Sequence, residues 1–298
     1  MLLAITHRTA YRYELPIHHS KNEVRALPVS DAHQRCLRAD LEVSPEATFP
    51  LRWRDYFGTE VVAFDIDGPH DGVEVVASAT VASHERTAET LLDGWGTDEG
   101  VELDQLDDLD AAEFLLPSPL VELDGQAREL AAGLAAPGSS LTTLEHVLDW
   151  VRGELRYERG STTVRTSVAE VLARRRGVCQ DFAHVCCALL RASGVPARYV
   201  SGYFAPDPLE VGGEAVVEGH AWVEAWLPGL GWWALDPTND QAAGERHVKV
   251  GHGRDYRDVA PVRGVYRGGT GGRLEVQVRI TRLPDHDLDD HPGDLGEG

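Results

Sequence analysis

The hydrophobic period of this chain changes once, and that change constrains the fold more than any single motif. Up to about residue 90, apolar and β-forming residues alternate with polar ones. Leu3, Ile5, Thr9, Tyr11, Tyr13 and Leu15 make one run, Leu37, Ala39, Leu41 and Val43 a second, and Val73, Val75, Ala77, Ala79 and Val81 a third. A period of two puts every other side chain on one face of a strand. Pro, Gly and Asp clusters separate the runs, which is the pattern of an antiparallel sandwich.

Further on the period becomes helical. Leu141, Leu144, Leu148, Val151 and Leu155 recur at helix spacing, with Thr142 and Glu145 as an expected capping box. Ser167 with Glu170 repeats that start signal. Three strands are then predicted, at 197–204, 220–227 and 231–235, and one more where Leu274, Val276, Val278 and Ile280 alternate with polar residues. Helices followed by an antiparallel sheet define an α+β unit. The predicted organisation is an N-terminal β-sandwich domain at 1–92, an acidic linker at 93–112, the helix-and-sheet core at 113–270, a C-terminal strand at 271–283 and a disordered acidic tail at 284–298.

Charge and composition exclude several roles. With 28 basic against 49 acidic residues the formal charge is -21, which repels nucleic-acid phosphates and anionic lipid, so neither is expected as a partner. No apolar run reaches the roughly 18 residues of a membrane span, and MLLAITHRTAYRYEL lacks the regions of a secretory signal, so a cytoplasmic protein is expected. Oligomeric state is not legible. Four cysteines in 298 residues make no disulfide framework, and none forms a CxxC pair for zinc. The tail aspartates lack calcium-loop spacing, and GGTGGR is not followed by the Lys-Ser or Lys-Thr of a phosphate cradle. No metal and no cofactor are predicted.

Chemistry concentrates in two segments. In RRGVCQDFAHVCCALLRASG, residues 175–194, Cys179 falls where a glycine turn enters a helix, and unpaired first-turn N–H groups stabilise a thiolate there. Cys186 and Cys187 lie two turns further in, on or beside the apolar side, and read as core; Cys36 reads the same way. A nucleophilic thiol needs a base and a group to orient it. EGHAWVEAWLPGLGWWALDPTND supplies His220 at the start of one strand and Asp236 at the end of the next. Asp236 shares the face of His220 only if paired positions have an even sum, for example Trp222 opposite Asp236, which requires a turn of three or five residues around Pro228 to Leu230. The two would then be diagonal neighbours, about 7 Å apart along the backbones. His184, five residues past Cys179, points about 140° away from it.

With these motifs the chain resembles the transglutaminase-like superfamily. GVCQDFAHVCCALLRASGVPARYVSGY and HAWVEAWLPGLGWWALDPTN resemble its core domain, while SKNEVRALP, DYFGTEVVAFDI and VGHGRDYRDVAPVRGVYRGG resemble the bacterial subgroup with an N-terminal β domain. The resemblance implies a papain-like core of helices packed on an antiparallel sheet. It implies Cys179 as nucleophile, His220 as base and Asp236 as orienting acid. It also implies an oxyanion site made of the Cys179 N–H and a side chain, for which Tyr157 and Gln180 are candidates; Trp222 is a candidate substrate contact. The expected activity is cysteine-dependent acyl transfer on a peptide or isopeptide amide through a thioester, most simply hydrolysis of a peptide or protein substrate. Transamidation, with Trp222, Trp226, Trp232 and Trp233 as an amine tunnel, and a non-catalytic peptide-binding scaffold are the rivals.

Overall fold

The computed structural model describes residues 1–84, 109–269 and 271–284. The predicted linker therefore lies outside the described residues except for its last four, which form a helical turn, Leu109–Ala112. The predicted disordered tail lies outside them beyond residue 284.

Four strands open the chain: β1 (Leu2–Val24), β2 (Gln34–Ser44), β3 (Thr48–Arg54) and β4 (Glu60–Ser83). The core supplies helices α1 (Gly125–Leu134), α2 (Ser140–Glu154), α3 (Val168–Arg174) and α4 (Cys179–Ala192). Two short strands, β5 (Arg156–Tyr157) and β6 (Arg176–Gly177), pair in parallel. Then follow β7 (Ala197–Phe204), β8 (Glu214–Val217), β9 (His220–Leu227), β10 (Gly231–Asp236), β11 (Gln241–Ala242), β12 (His247–Gly253), β13 (Val262–Arg267) and β14 (Gly272–Leu283).

The N-terminal β region is present, with a topology that alternation could not give. Its strands are hydrogen-bonded into one seven-stranded sheet with the path β2-β4-β1-β14-β8, to which β3 adds on β4 and β13 on β1. Pro16 lies inside β1, and the β1–β4 register shifts between Arg12 and Ile17. Proline has no N–H for the ladder, so irregularity there is expected. On one side of it β1 pairs β14, from Leu2↔Leu283 to Tyr13↔Gly272; on the other it pairs β13, from His19↔Arg267 to Val24↔Val262. The predicted C-terminal strand is thus an interior member of the N-terminal sheet. β8, from within the core, caps the same sheet through Val217↔Val278 and Glu214↔Thr281.

The second sheet has the order β11-β10-β9-β7-β12, and α4 packs against β9 and β7. Every α4 residue from Gln180 to Arg191 is buried, so this helix is wrapped on all sides. Leu144, Val147, Val151, Val171, Leu189 and Val223 belong to the surrounding core. Ser139 caps α2 by accepting the Thr142 N–H at 3.1 Å, three residues ahead of the expected cap. Ser167 and Glu170 form the predicted capping box on α3.

The two sheets share apolar packing. Leu3, Ile5, Val81 and Ile280 of the first meet Tyr203, Val248 and Val250 of the second. Burial of each such aliphatic side chain stabilises by about 1.5–3 kcal/mol. Gln34 ties the same seam, donating to the Lys249 carbonyl at 2.7 Å and accepting the Lys249 N–H at 2.7 Å. Among the described residues no helix is long and apolar enough to cross a membrane.

Candidate active site

Cys179 is the first residue of α4, preceded by an extended Val178. The turn into the helix is built differently from the sequence expectation. The left-handed residue is Arg175, at φ 54°, and Gly177 serves for space: a Cβ there would lie 2.6 Å from the Asp181 Cβ. Asp181 is fully buried beneath the turn, where its carboxylate accepts the Val178 N–H at 2.7 Å and the Thr162 hydroxyl at 2.5 Å.

His220 opens β9 and Asp236 closes β10. The β9–β10 pairs run from Gly231↔Leu227 to Leu235↔Val223, so paired numbers have an even sum and the turn holds three residues, Pro228, Gly229 and Leu230. This parity puts both side chains on one face. The His220 Nε2–H donates to Asp236 Oδ2 at 2.7 Å. That leaves the Nδ1 edge of the ring for Cys179, which lines the same cavity as His220 and acts on its protonation. Burial alone lowers the His220 pKa, but the Asp236 bond, the Cys179 thiol and their charges outweigh it and raise the value to about 9.

Asp236 is held by more than His220. Its Oδ1 accepts the backbone N–H groups of Thr238 and Asn239 at 3.0 and 3.2 Å, and its Oδ2 also accepts the Asn239 side-chain amide at 2.7 Å. A residue absent from the sequence reading, His247 on β12, donates from Nε2 to the same Oδ2 at 3.1 Å. Its tautomer is fixed because Nδ1 accepts the Gly244 N–H at 3.2 Å. Burial opposes ionisation of Asp236, yet the bonds from His220 and His247 hold its pKa well below the usual carboxylate range. His220, Asp236 and His247 place three potential metal-ligating atoms within 4.8 Å of one another. Both imidazoles, however, direct N–H bonds at the carboxylate, so the atoms a cation would need are already engaged.

The other candidates separate cleanly. Cys186 and Cys187 are fully buried, and burial raises both thiols, Cys187 to about 11. His184 is buried, accepts the Tyr256 N–H at Nε2, and is pushed down to about 4 by desolvation, so it offers no base to Cys179. Gln180 lines the cavity at Cys179, although its amide donates to the Thr163 carbonyl at 3.3 Å. Tyr157 lines that cavity too and is 43% exposed; burial of its hydroxyl, and next the Cys179 charge, raise its pKa. Trp222 is the correction. It is 2% exposed, packs with Val200, Ala234 and Ala243, and does not line the cavity. Its ring lies so close to Gly202 that a Cβ there would come within 2.6 Å of it. Being two residues from His220 puts Trp222 on the same face of β9, but its ring leans over Gly202 of the neighbouring strand β7 and stays out of the cavity.

A helix-start cysteine facing a strand histidine, on helices packed against an antiparallel sheet, is the architecture of the transglutaminase-like class. The profile of the Transglutaminase-like superfamily matches residues 127–237, and that of the Bacterial transglutaminase-like N-terminal region matches residues 3–82. The chain belongs to this superfamily. An uncharacterized protein of Mycobacterium leprae is 38% identical over 284 residues, covering 94% of this chain and 99% of that protein. A protein-glutamine gamma-glutamyltransferase of Pseudomonas aeruginosa is 43% identical over 75 residues, 24% of this chain and 11% of that protein. Among solved structures, "a Putative Cysteine Protease" from Cytophaga hutchinsonii aligns with a TM-score of 0.72 at 25% identity, covering 93% of this chain and 90% of that one.

Proposed function

We propose that the protein is a cysteine-dependent acyl-transfer enzyme acting on a peptide or isopeptide amide, with Cys179 as nucleophile, His220 as base and Asp236 as orienting acid. The observation that carries this reading is His220, hydrogen-bonded to a buried carboxylate and lining one cavity with a helix-start thiol that helps raise its pKa. In that geometry His220, with its raised pKa, already holds the proton taken from Cys179 before the attack, and Sγ then adds to the substrate carbonyl carbon. The C–N bond then breaks, the leaving amine takes the proton from His220, and a thioester remains. Water attacks next, giving its proton to His220; the C–S bond breaks and the thiol is reprotonated. The developing oxyanion would meet the Cys179 N–H at the start of α4, which has no intrahelical acceptor.

Hydrolysis is favoured over transamidation. None of the four tryptophans that could form an amine tunnel lines the cavity at Cys179: Trp222 is core, and Trp226 and Trp232 pack edge to face at 5.4 Å on the β9–β10 hairpin. The Cytophaga "Putative Cysteine Protease" aligns over nearly the whole chain, whereas the glutamyltransferase match is confined to 75 residues. Mass spectrometry of glutamine-containing peptides incubated with and without a primary amine decides between them. Cleaved or deamidated products alone support hydrolysis, and an amine adduct that depends on Cys179 would replace it by transamidation.

A further inference from the structure

The thiol opens into a cavity of about 580 Å³ whose far wall is the N-terminal sheet. That volume lies in the range of small-molecule and peptide side-chain sites and far exceeds what the reacting atoms need. The wall is one face of three adjacent strands. Thr9 and Tyr11 of β1 stand opposite Val276 and Leu274 of β14 on one side and Val75 and Val73 of β4 on the other, with His7 next along β1. Tyr13 and, from β13, Tyr266 extend it, the three tyrosine rings lying 4.7 to 6.5 Å apart between centroids. Leu274 is 57% exposed, and Val276 and Tyr266 are exposed as well; across the opening the core presents exposed Tyr157 and Val164. Both lips of the cleft are therefore apolar or aromatic.

The charges inside the cleft are already committed. Arg25 is paired with Glu23 and Asp55, each at 3.1 Å, and His220 with Asp236 at 2.7 Å, while Glu218 stands exposed at the rim, outside the apolar interior. His7 is neutral, since burial takes it down to about 4; its ring bonds the Tyr203 and Thr9 hydroxyls. A charged substrate group entering this space would lose hydration without gaining a counter-ion. Resting on the acyl-transfer reading of the same site, we propose that the N-terminal sheet forms the substrate-selecting wall, and that the enzyme takes peptides with a large uncharged apolar or aromatic side chain beside the reacting amide. β8 fits this role: it hydrogen-bonds β14 and only two residues separate its end from His220, so the wall and the base are held on one continuous segment.

Alkylation tests the proposal without a known substrate. Iodoacetamide and N-benzyliodoacetamide each form an Sγ–C bond and release iodide, differing only in the apolar ring. Peptide mapping should show Cys179 labelled about tenfold faster by the benzyl reagent, the factor expected from burying about 55 Å² of its ring. In Leu274→Ser and Tyr266→Ser, confirmed folded by circular dichroism, the ratio of the two rates should fall towards one. A ratio near one in the unaltered protein, or a carboxymethyl-substituted iodoacetamide as fast as the benzyl one, overturns the proposal. If Cys179 proves no more reactive than Cys36, the acyl-transfer reading fails on its own. The wall is then tested by titrating N-benzylacetamide into Cys179→Ser with nuclear magnetic resonance detection, where absence of saturable shifts at the tyrosine rings refutes it.

Discussion

Replacing His247 by phenylalanine tests how the site is held together. The ring contacts of this position, 4.5 Å from Phe204 and 5.3 Å from Trp222 between centroids, are kept by another aromatic side chain. What disappears is one donor to Asp236, whose side chain has no exposed surface, and the acceptor of the Gly244 N–H. A hydrogen bond to a buried charged group contributes about 1.5–3 kcal/mol, and an orphaned N–H adds to the loss, so His247→Phe should destabilise by about 2–4 kcal/mol. His247→Gln keeps a side-chain donor and should cost less than about 1 kcal/mol. Urea unfolding at pH 7 gives both numbers. The sign with pH follows from Asp236: its depressed pKa contributes stability that is fully present above the unfolded carboxylate value and is lost as pH falls towards the folded one. The variant, with a less depressed pKa, has less to lose, so the gap is widest at neutral pH and narrows in strong acid. A His247→Phe protein within about 0.5 kcal/mol of the original, or a glutamine variant equally damaged, would refute the shared-carboxylate arrangement.

Three other outcomes follow from the geometry. With an amide substrate the leaving amine needs the His220 proton, so kcat/KM should decline as pH rises through about 9, and Asp236→Asn should move that decline to lower pH. Gly177→Ala drives a methyl group into the Asp181 side chain and should cost about 1–3 kcal/mol together with most of the activity, seen by paired unfolding and rate measurements. Cys186→Ala should lower stability by about 1 kcal/mol and keep activity, while Cys179→Ala should do the reverse.

Local pattern made the core strands legible because each is a short apolar run rich in β-formers, β7 and β9 being buried on both faces. The parity argument for His220 and Asp236 succeeded because a three-residue turn leaves no freedom of register. Pairings between distant segments carry no such local mark. Nothing in Leu274 to Ile280 says that they lie beside Tyr11 to Ile5 at the other end of the chain, nor that Val217 reaches the same sheet. His247 was missed for the same reason: it stands beside Asp236 through β12, which is separated from β10 in the sheet by β9 and β7. Gly177 was noticed for its flexibility, yet its demand is spatial and becomes visible only once Asp181 is placed.

The central claim is that Cys179 carries the acyl group. Incubation with an activated ester such as p-nitrophenyl acetate, quenching in acid and peptide mapping tests it directly. The account predicts one hydroxylamine-sensitive acetyl group on the Cys179 peptide, absent in Cys179→Ser and strongly reduced in His220→Ala. Acetylation spread over Cys36 and Cys179 alike, or an adduct that persists in Cys179→Ser, would contradict it.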